Sequence, residues 1–432
     1  MKKIYFSLIT ITILLFTACN NNDVPGNEET KETGTLRATI SFGGESVTPN
    51  AQATTRAASS TAIPTVSWAN VNQIQLFLYK EDGAITFTKT LIPGDATNPE
   101  ANDGRVFDIP NIPLGDYKLA LIANASNSKD NVTTSINGGQ TWGTEFNSSN
   151  INQATKIGDL LVDLKEKQLP YLPDTLVGFT DRKGYEKPSE IFTVIDVPVS
   201  IKGGQTADVK PGALKREISL MRTRFDITTV LDGTPEEVAF YKANREKVDF
   251  DTDSSFIVVQ CLPKYFSLAN GMSAESDTTR ILVAATGDKT YMDADPQEGY
   301  KSNGDGTPKI IDGLFTRWND IRIFPNVAGR GESTDITDKE YFIIISAWVD
   351  LEEGETYTYA DGKRASKPQR VFWWAKINDP FTRNVIREVN LTLKSAGYLE
   401  FPDGPTEQGG LTIEIGAPEE WNPIIEDTNM DI

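Results

Sequence analysis

The sequence predicts an all-β protein, because short segments with apolar residues at every second position recur along the chain, separated by Gly or Pro turns. One segment, Thr234–Lys247, lacks this alternation. Proline and two glutamates follow its first residue and apolar residues lie on one side, which predicts one short helix. A chain of 432 residues is long for one compact domain, and two domains of roughly 150 to 220 residues each are expected. The predicted fold is therefore two antiparallel β-sandwiches with a single helix.

The N-terminus has the order of a secretory signal: two lysines, an apolar run from Ile4 to Phe16, and small residues before Cys19. The run is about thirteen residues, shorter than the roughly 20 that span a bilayer, so it predicts a cleaved signal rather than an anchor. The ending resembles a bacterial lipobox, in which residues 1–18 are removed and Cys19 becomes the acylated first residue. A plain signal peptide with a chance cysteine is the alternative.

Composition argues against several classes of function. The net charge of −19 argues against nucleic-acid binding. The chain has no histidine, which removes the commonest general base and histidine metal sites. Besides Cys19 the sequence has one cysteine, Cys261, in an apolar stretch typical of a core, so neither zinc nor a disulfide framework is expected. We expect no enzyme activity, cofactor or metal, although a hydrolase based on paired carboxylates stays open.

Residues 19–60 contain one predicted strand between two low-complexity stretches. Residues 20–34 are rich in Asn, Glu, Thr and Gly, which predicts a polar tether. Residues 46–60 are small and polar, and Arg56, followed by Ala57, is expected to be accessible there. The strand between them has four apolar residues that alternate with other residues and predict one buried face: Leu36, Ala38, Ile40 and Phe42.

The two sandwich domains are predicted at residues 61–212 and 213–432. The break falls after Gly and Pro turns that end at Gly212. The first domain opens with an antiparallel hairpin around the turn pair Asp82-Gly83. The second domain repeats the same succession of short strands and turns.

Five features occur in a definite order along the chain. They are the lipoprotein signal ending at Cys19; the early strand followed by Arg56; a core strand at Asn72–Tyr79 before a glycine turn; Arg383-Asn384 before Val385–Leu393 and Gly397; and a C-terminal strand followed by Trp421 and an acidic tail. Each feature alone is common. In this order they resemble the fimbrillin family, the subunits of type V pili on the outer surface of certain Gram-negative bacteria, and the resemblance covers the whole chain in outline.

The resemblance implies two transthyretin-like β-sandwiches exported to the cell surface as a lipoprotein. It implies that an arginine-specific protease cuts between Arg56 and Ala57 and removes the first strand, Leu36–Phe42, and that a strand of a neighbouring subunit fills the groove. A fimbria that supports adhesion or biofilm formation is the implied product. The implied partners are other fimbrial subunits of the same or another kind, the outer membrane through the lipid before processing, and a host or bacterial receptor.

The donated strand has two candidates near the C-terminus. One is a predicted strand that contains three alternating apolar residues: Leu411, Ile413 and Ile415. If that segment is instead the last strand of the second sandwich, the tail that follows becomes the candidate and contributes three apolar side chains: Trp421, Ile424 and Ile425.

Other functions stay open. The protein could be a fimbrial tip, or an anchor that keeps its lipid, instead of a shaft subunit. It could also be a glycan-binding lipoprotein that stays tethered at Cys19 and presents Trp373 and Trp374 to polysaccharide, because aromatic faces suit sugar rings. Packing in a core or between domains is the ordinary explanation of this tryptophan pair.

Overall fold

The computed structural model describes residues 32–42, 68, 71–96, 98–100, 104–143, 150–167, 183–226, 247–249, 255–285, 316–330, 336–402 and 409–421. Within these ranges the regular structure is β-strand with short 3₁₀ turns, so the predicted all-β class is confirmed. The predicted helix at Thr234–Lys247 lies outside the described residues, apart from Lys247.

The first sheet consists of two layers joined by one strand. Its members, numbered in chain order, are β1 (Thr33–Phe42), β2 (Ile74–Tyr79), β3 (Ile85–Leu91), β4 (Asn98–Glu100), β5 (Gly104–Pro113), β6 (Gly115–Ala123), β10 (Phe192–Ile201), β11 (Thr206–Val209) and β12 (Ala213–Arg216). Their order is β3-β2-β6-β10-β12-β1-β5-β4, with β11 beside β1. Because β12 pairs with β10 on one edge and with β1 on the other, it connects the layers.

The remaining strands form four further sheets in the described ranges. They are β7 (Val132–Ile136), β8 (Leu160–Leu164), β9 (Lys183–Tyr185), β13 (Ser219–Asp226), β14 (Val248–Asp249), β15 (Phe256–Pro263), β16 (Phe266–Ser267), β17 (Gly271–Met272), β18 (Ser276–Ala285), β19 (Thr316–Ile323), β20 (Tyr341–Val349), β21 (Tyr357–Thr358), β22 (Arg364–Ala365), β23 (Gln369–Ile377), β24 (Val385–Leu393), β25 (Leu411–Ile415) and β26 (Glu419–Glu420). The orders are β14-β20-β15-β18-β9, with β23 also on β20; β19-β13-β24-β25, with β26 also on β24; β17-β16-β8-β7; and β21-β22.

Strands from before and after residue 212 pair with one another. β9 runs parallel to β18, with Tyr185 opposite Leu282. β8 runs antiparallel to β16, with Val162 opposite Phe266. β12 follows the predicted boundary but belongs to the first sheet. The division into domains 61–212 and 213–432 stays a prediction, and the two segments share three sheets.

The hairpin of β2 and β3 forms at the predicted turn. Asp82 accepts a hydrogen bond from the Ala84 amide at 3.0 Å. Gly83 has a φ of 87°, a left-handed conformation that glycine adopts at little cost, and its amide donates to the Lys80 carbonyl at 2.8 Å. This local chemistry explains why the sequence predicts the hairpin correctly.

Two apolar cores meet at β2, whose six residues are all buried. Leu76 and Leu78 face the core between the two layers of the first sheet, which also contains the inward side chains of β1. Phe77 faces the second core, where its ring lies 5.5 Å from that of Trp142. Both faces of this strand are buried, because a further layer packs on its outer side.

Candidate functional site

β1 is an internal strand of the first sheet and is paired along both edges. On one edge it runs antiparallel to β5, with Leu36 opposite Ile109. On the other edge it runs parallel to β11 and then to β12, with Phe42 opposite Leu214. Removal of β1 would therefore leave a groove with one wall that favours antiparallel pairing and one that favours parallel pairing.

The inward side of β1 fills the core between the two layers. Its four alternating apolar side chains are each at most 5% exposed: Leu36, Ala38, Ile40 and Phe42. Each of the three large side chains contributes roughly 1.5 to 3 kcal/mol when buried, and a whole domain is stable by only about 5 to 15 kcal/mol. The first sheet therefore depends strongly on this one strand.

The two ends of the groove under β1 differ in shape. At the C-terminal end the ring of Phe42 packs edge to face with Trp68 at 4.8 Å and with Phe192 at 4.9 Å between centroids. At the other end a Cβ atom on Gly34 would lie 2.6 Å from a side-chain carbon of Ile201. Glycine is required at this point, so any strand in the groove needs a small residue there and admits a large ring at the other end.

Arg37 lies on the outward face of β1, next to two carboxylates. Its Nε donates a hydrogen bond to Asp108 at 2.7 Å, and Asp208 lies 3.9 Å away. The hydrogen bond and charge of Asp108 raise the pKa of Arg37. An exposed pair of this kind adds little stability, but it fixes the side chain on a strand whose backbone is paired.

Arg216, at the end of β12, joins the first sheet to the C-terminal region. Its side chain is fully buried, and its Nη2 lies 2.9 Å from the carboxylate of Glu190. Its Nη1 donates to the Asn384 side chain at 3.0 Å and to the Trp421 carbonyl at 2.7 Å. Burial lowers the pKa of Arg216, and Glu190 partly offsets this effect. The indole of Trp421 lies 3.8 Å from the guanidinium, in a cation–π contact.

A second buried charge cluster adjoins Arg216. Glu217 is 3% exposed and accepts hydrogen bonds from Arg330 at 2.9 Å and from Arg383 at 3.3 Å. Arg330 also donates to the Thr193 hydroxyl at 3.2 Å. Burial lowers the pKa of Arg330, while the charge of Glu217 opposes this change. The two clusters connect β10 and the end of β12 to the segments around residues 330 and 383.

The described C-terminal strands pair within their own chain. β25 runs antiparallel to β24, with Ile413 opposite Leu391, and is the last long strand of its sheet. This is one of the two arrangements that the sequence leaves open. Trp421 follows β26, is fully buried, and its amide donates to the Asn384 carbonyl at 2.8 Å.

Several predicted site residues lie outside the described residues, and the roles assigned to them stay predictions. They are Cys19, Arg56, Ala57, Ile424 and Ile425. Cys261, the other cysteine, carries a buried thiol, as its apolar surroundings predict.

The tryptophan pair does not form an exposed platform. Trp373 is 2% exposed, and its Nε1 donates to the Ser395 carbonyl at 2.9 Å. Trp374 is half-buried, and its ring is tilted against Tyr398 at 4.7 Å. The suggestion that both present their faces to polysaccharide is wrong for Trp373, because alternate residues of β23 point to opposite faces.

Sequence reasoning missed the role of Arg216 and Glu217. The sequence signal was a run of three charged residues, Lys215 to Glu217, between the apolar residues Leu214 and Ile218, which the structure shows to be fully buried. Charged residues in such a setting are seldom buried unless they are paired. The part of Asn384 is seen only in the structure, where its φ of 56° lies in the left-handed region that asparagine tolerates better than most residues.

The described ranges contain neither a candidate metal centre nor a candidate membrane-spanning helix. The carboxylates and Cys261 found there do not gather into a group of three or more that could hold a metal ion. Helices of the length and apolarity needed to cross a bilayer are likewise not found in these ranges.

Fold and site together define an all-β protein in which an internal strand near the N-terminus completes a two-layer core. No protein-family model matches the chain, and no curated protein matches it. Among solved structures, a fimbrilin of Porphyromonas gingivalis is similar over 91% of this chain and 99% of its own, with 11% identity and a TM-score of 0.43.

Two further solved structures are similar. A candidate cell adhesion protein of Bacteroides eggerthii is 13% identical over 93% of this chain and 98% of its own, with a TM-score of 0.42. A candidate polysaccharide-binding protein of Bacteroides thetaiotaomicron is 12% identical over 85% of this chain and 94% of its own, with a TM-score of 0.39.

Proposed function

We propose that this protein is a structural subunit of a cell-surface fimbria. It is exported as a lipoprotein through Cys19 and is cleaved between Arg56 and Ala57. It then polymerises when a strand of a neighbouring subunit occupies the groove of β1. Adhesion or biofilm formation is the biological outcome.

The position of β1 is the observation that supports this proposal. β1 precedes every other described strand, so a cut after Arg56 would leave it attached by non-covalent contacts alone. Those contacts are extensive, because β1 is paired on both edges and its apolar side is buried. A subunit that loses β1 exposes an apolar groove between two unpaired edges, and such edges readily accept another strand.

The pairing of β25 supports one of the two candidate donor segments. β25 pairs along its length with β24, so its donation would require a second sheet to open. The chain after Trp421, including Ile424 and Ile425, is therefore our preferred donor. The partners are other subunits of the same or a different kind, the outer membrane through the lipid before cleavage, and a surface receptor.

The sharpest test combines N-terminal sequencing of the surface form with an Arg56→Ala variant. We expect the mature protein to begin at Ala57, and we expect the variant to keep its lipid at Cys19 and to form no fibres in electron micrographs. Arg364→Ala removes an exposed arginine elsewhere and should leave both results unchanged.

Two results would contradict the proposal. Normal fibres from Arg56→Ala would show that cleavage there is not needed. A wild-type surface form that keeps its lipid and stays at the base of fibres built from other subunits would instead identify an anchor.

A further inference from the structure

A continuous stack of five side chains connects β1 to the C-terminal segment. We call it the Phe42–Trp421 stack, and its members in order are Trp68, Phe42, Phe192, Arg216 and Trp421. The ring centroids of the first two contacts are 4.8 and 4.9 Å apart. The guanidinium of the fourth member lies 5.1 Å from the phenyl ring before it and 3.8 Å from the indole after it.

Backbone pairing holds the same residues together. Phe42 lies opposite Leu214 in the parallel pairing of β1 with β12, and Phe192 lies opposite Arg216 in the antiparallel pairing of β10 with β12. β12 is only four residues long and is held between these two neighbours. Loss of β1 therefore leaves one edge of β12 unpaired and one face of the Phe192 ring uncovered. Since β12 and Phe192 together position Arg216, the position of Arg216 then becomes less well fixed.

Arg216 in turn fixes Trp421. It donates to the Trp421 carbonyl and stacks on the indole, and it also donates to Asn384, whose carbonyl accepts the Trp421 amide at 2.8 Å. A buried guanidinium needs all of these partners, because an unsatisfied buried charge is costly. A small displacement of Arg216 thus weakens the contacts that hold Trp421.

From this geometry we infer that β1 holds Trp421 in place through the Phe42–Trp421 stack, and that departure of β1 loosens Trp421. Coupling of this kind is a property of the single subunit. Its use in assembly rests on the proposed function, where removal of β1 would open the groove and also loosen Trp421, the residue that precedes the proposed donor.

Amide hydrogen exchange in the uncut subunit tests the inference directly. In Phe42→Ala we expect the Trp421 amide to exchange about tenfold faster than in the wild type, because an edge-to-face contact between aromatic rings is lost. Leu36→Ala is the matched control. It also creates a cavity under β1 but lies outside the stack, so it should change Trp421 exchange far less. The Gly416 amide, which donates to the Glu388 carbonyl at 2.8 Å, is the internal reference.

Coupling between two sites is reciprocal, which supplies an independent arm. Trp421→Ala should speed exchange in β1 from Ile40 to Phe42, whereas Ile413→Ala, in the paired strand β25, should not. Phe42→Leu keeps an apolar side chain without the ring. If Phe42→Ala does not fold, this variant replaces it, and it should also speed exchange of the Trp421 amide, but by a smaller factor.

Equal Trp421 exchange in the Phe42 and Leu36 variants, with slow exchange maintained in β15, would overturn the inference. That result would leave the proposed function intact, because fibre formation and the mature N-terminus are measured separately. Conversely, a coupled subunit that forms no fibres would contradict the proposed function and not the coupling.

Discussion

Glu217 and Arg330 lie 113 residues apart in sequence and form a buried ion pair of 2.9 Å. The same carboxylate oxygen accepts from Arg383 at 3.3 Å, so one negative charge serves two guanidinium groups. Neutralising the carboxylate would leave two largely buried cations, whose side chains are 18% and 24% exposed, without this counterion.

We therefore predict that Glu217→Gln lowers the free energy of unfolding by about 3 to 5 kcal/mol, the usual cost of breaking a buried pair on one side. Urea denaturation measures the change. Glu275→Gln is the control, because its pair with Lys264 is exposed and contributes little. Equal effects of the two substitutions would contradict the view that burial makes the Glu217 cluster important.

The buried face of β1 gives a second prediction. Ile40 is fully buried, so Ile40→Ala should lower the free energy of unfolding by about 2 to 5 kcal/mol through lost transfer energy and the resulting cavity. Thr39→Ala, on the partly exposed side of the same strand, should have a much smaller effect in the same denaturation experiment. Similar losses for both would show that β1 is not seated as described.

Arg37 should resist arginine-specific cleavage in the folded protein. A protease binds its substrate as an extended chain with free backbone groups, whereas Arg37 lies opposite Asp108 in β5 and Asp208 in β11. We expect limited trypsin digestion to cut first outside β1, and mass spectrometry of the fragments to find the Arg37-Ala38 bond intact. Early cleavage at that bond would mean that β1 opens easily on its own.

Tyr79 should make the stability depend on pH in alkaline solution. Its hydroxyl donates to the Asp196 carboxylate at 3.1 Å and accepts from the Asp196 amide at 3.0 Å. Burial raises the pKa of Tyr79 from 10.0 to about 12. Folding thus favours the neutral phenol, and this contribution is complete below pH 10.0 and is lost as the pH rises through about 12. Tyr79→Phe should show a shallower loss of stability in this range, and a slope like that of the wild type would count against the assignment. Tyr265→Phe, at an exposed tyrosine, is the control.

Local patterns allowed a large part of the fold to be predicted. Alternation identified the buried face of β1, and Asp82-Gly83 identified the hairpin of β2 and β3, because both signals depend on neighbouring residues alone. The strand at Leu411–Ile415 was also predicted, but not its partner. Pattern shows that a strand has an apolar face, and it does not show which strand of the same chain or another will cover that face.

The sequence by itself determined the all-β class and the apolar character of β1, and it predicts an export signal ending at Cys19. Only the tertiary structure decided that β1 lies between β5 and the pair β11 and β12, and that Arg216 connects Phe192 to Trp421. The physical reason is the separation along the chain over which each kind of interaction acts. Side-chain alternation and turn chemistry act within a few residues, whereas the contact of Arg216 with Trp421 joins positions 205 residues apart and forms only when several sheets have packed together.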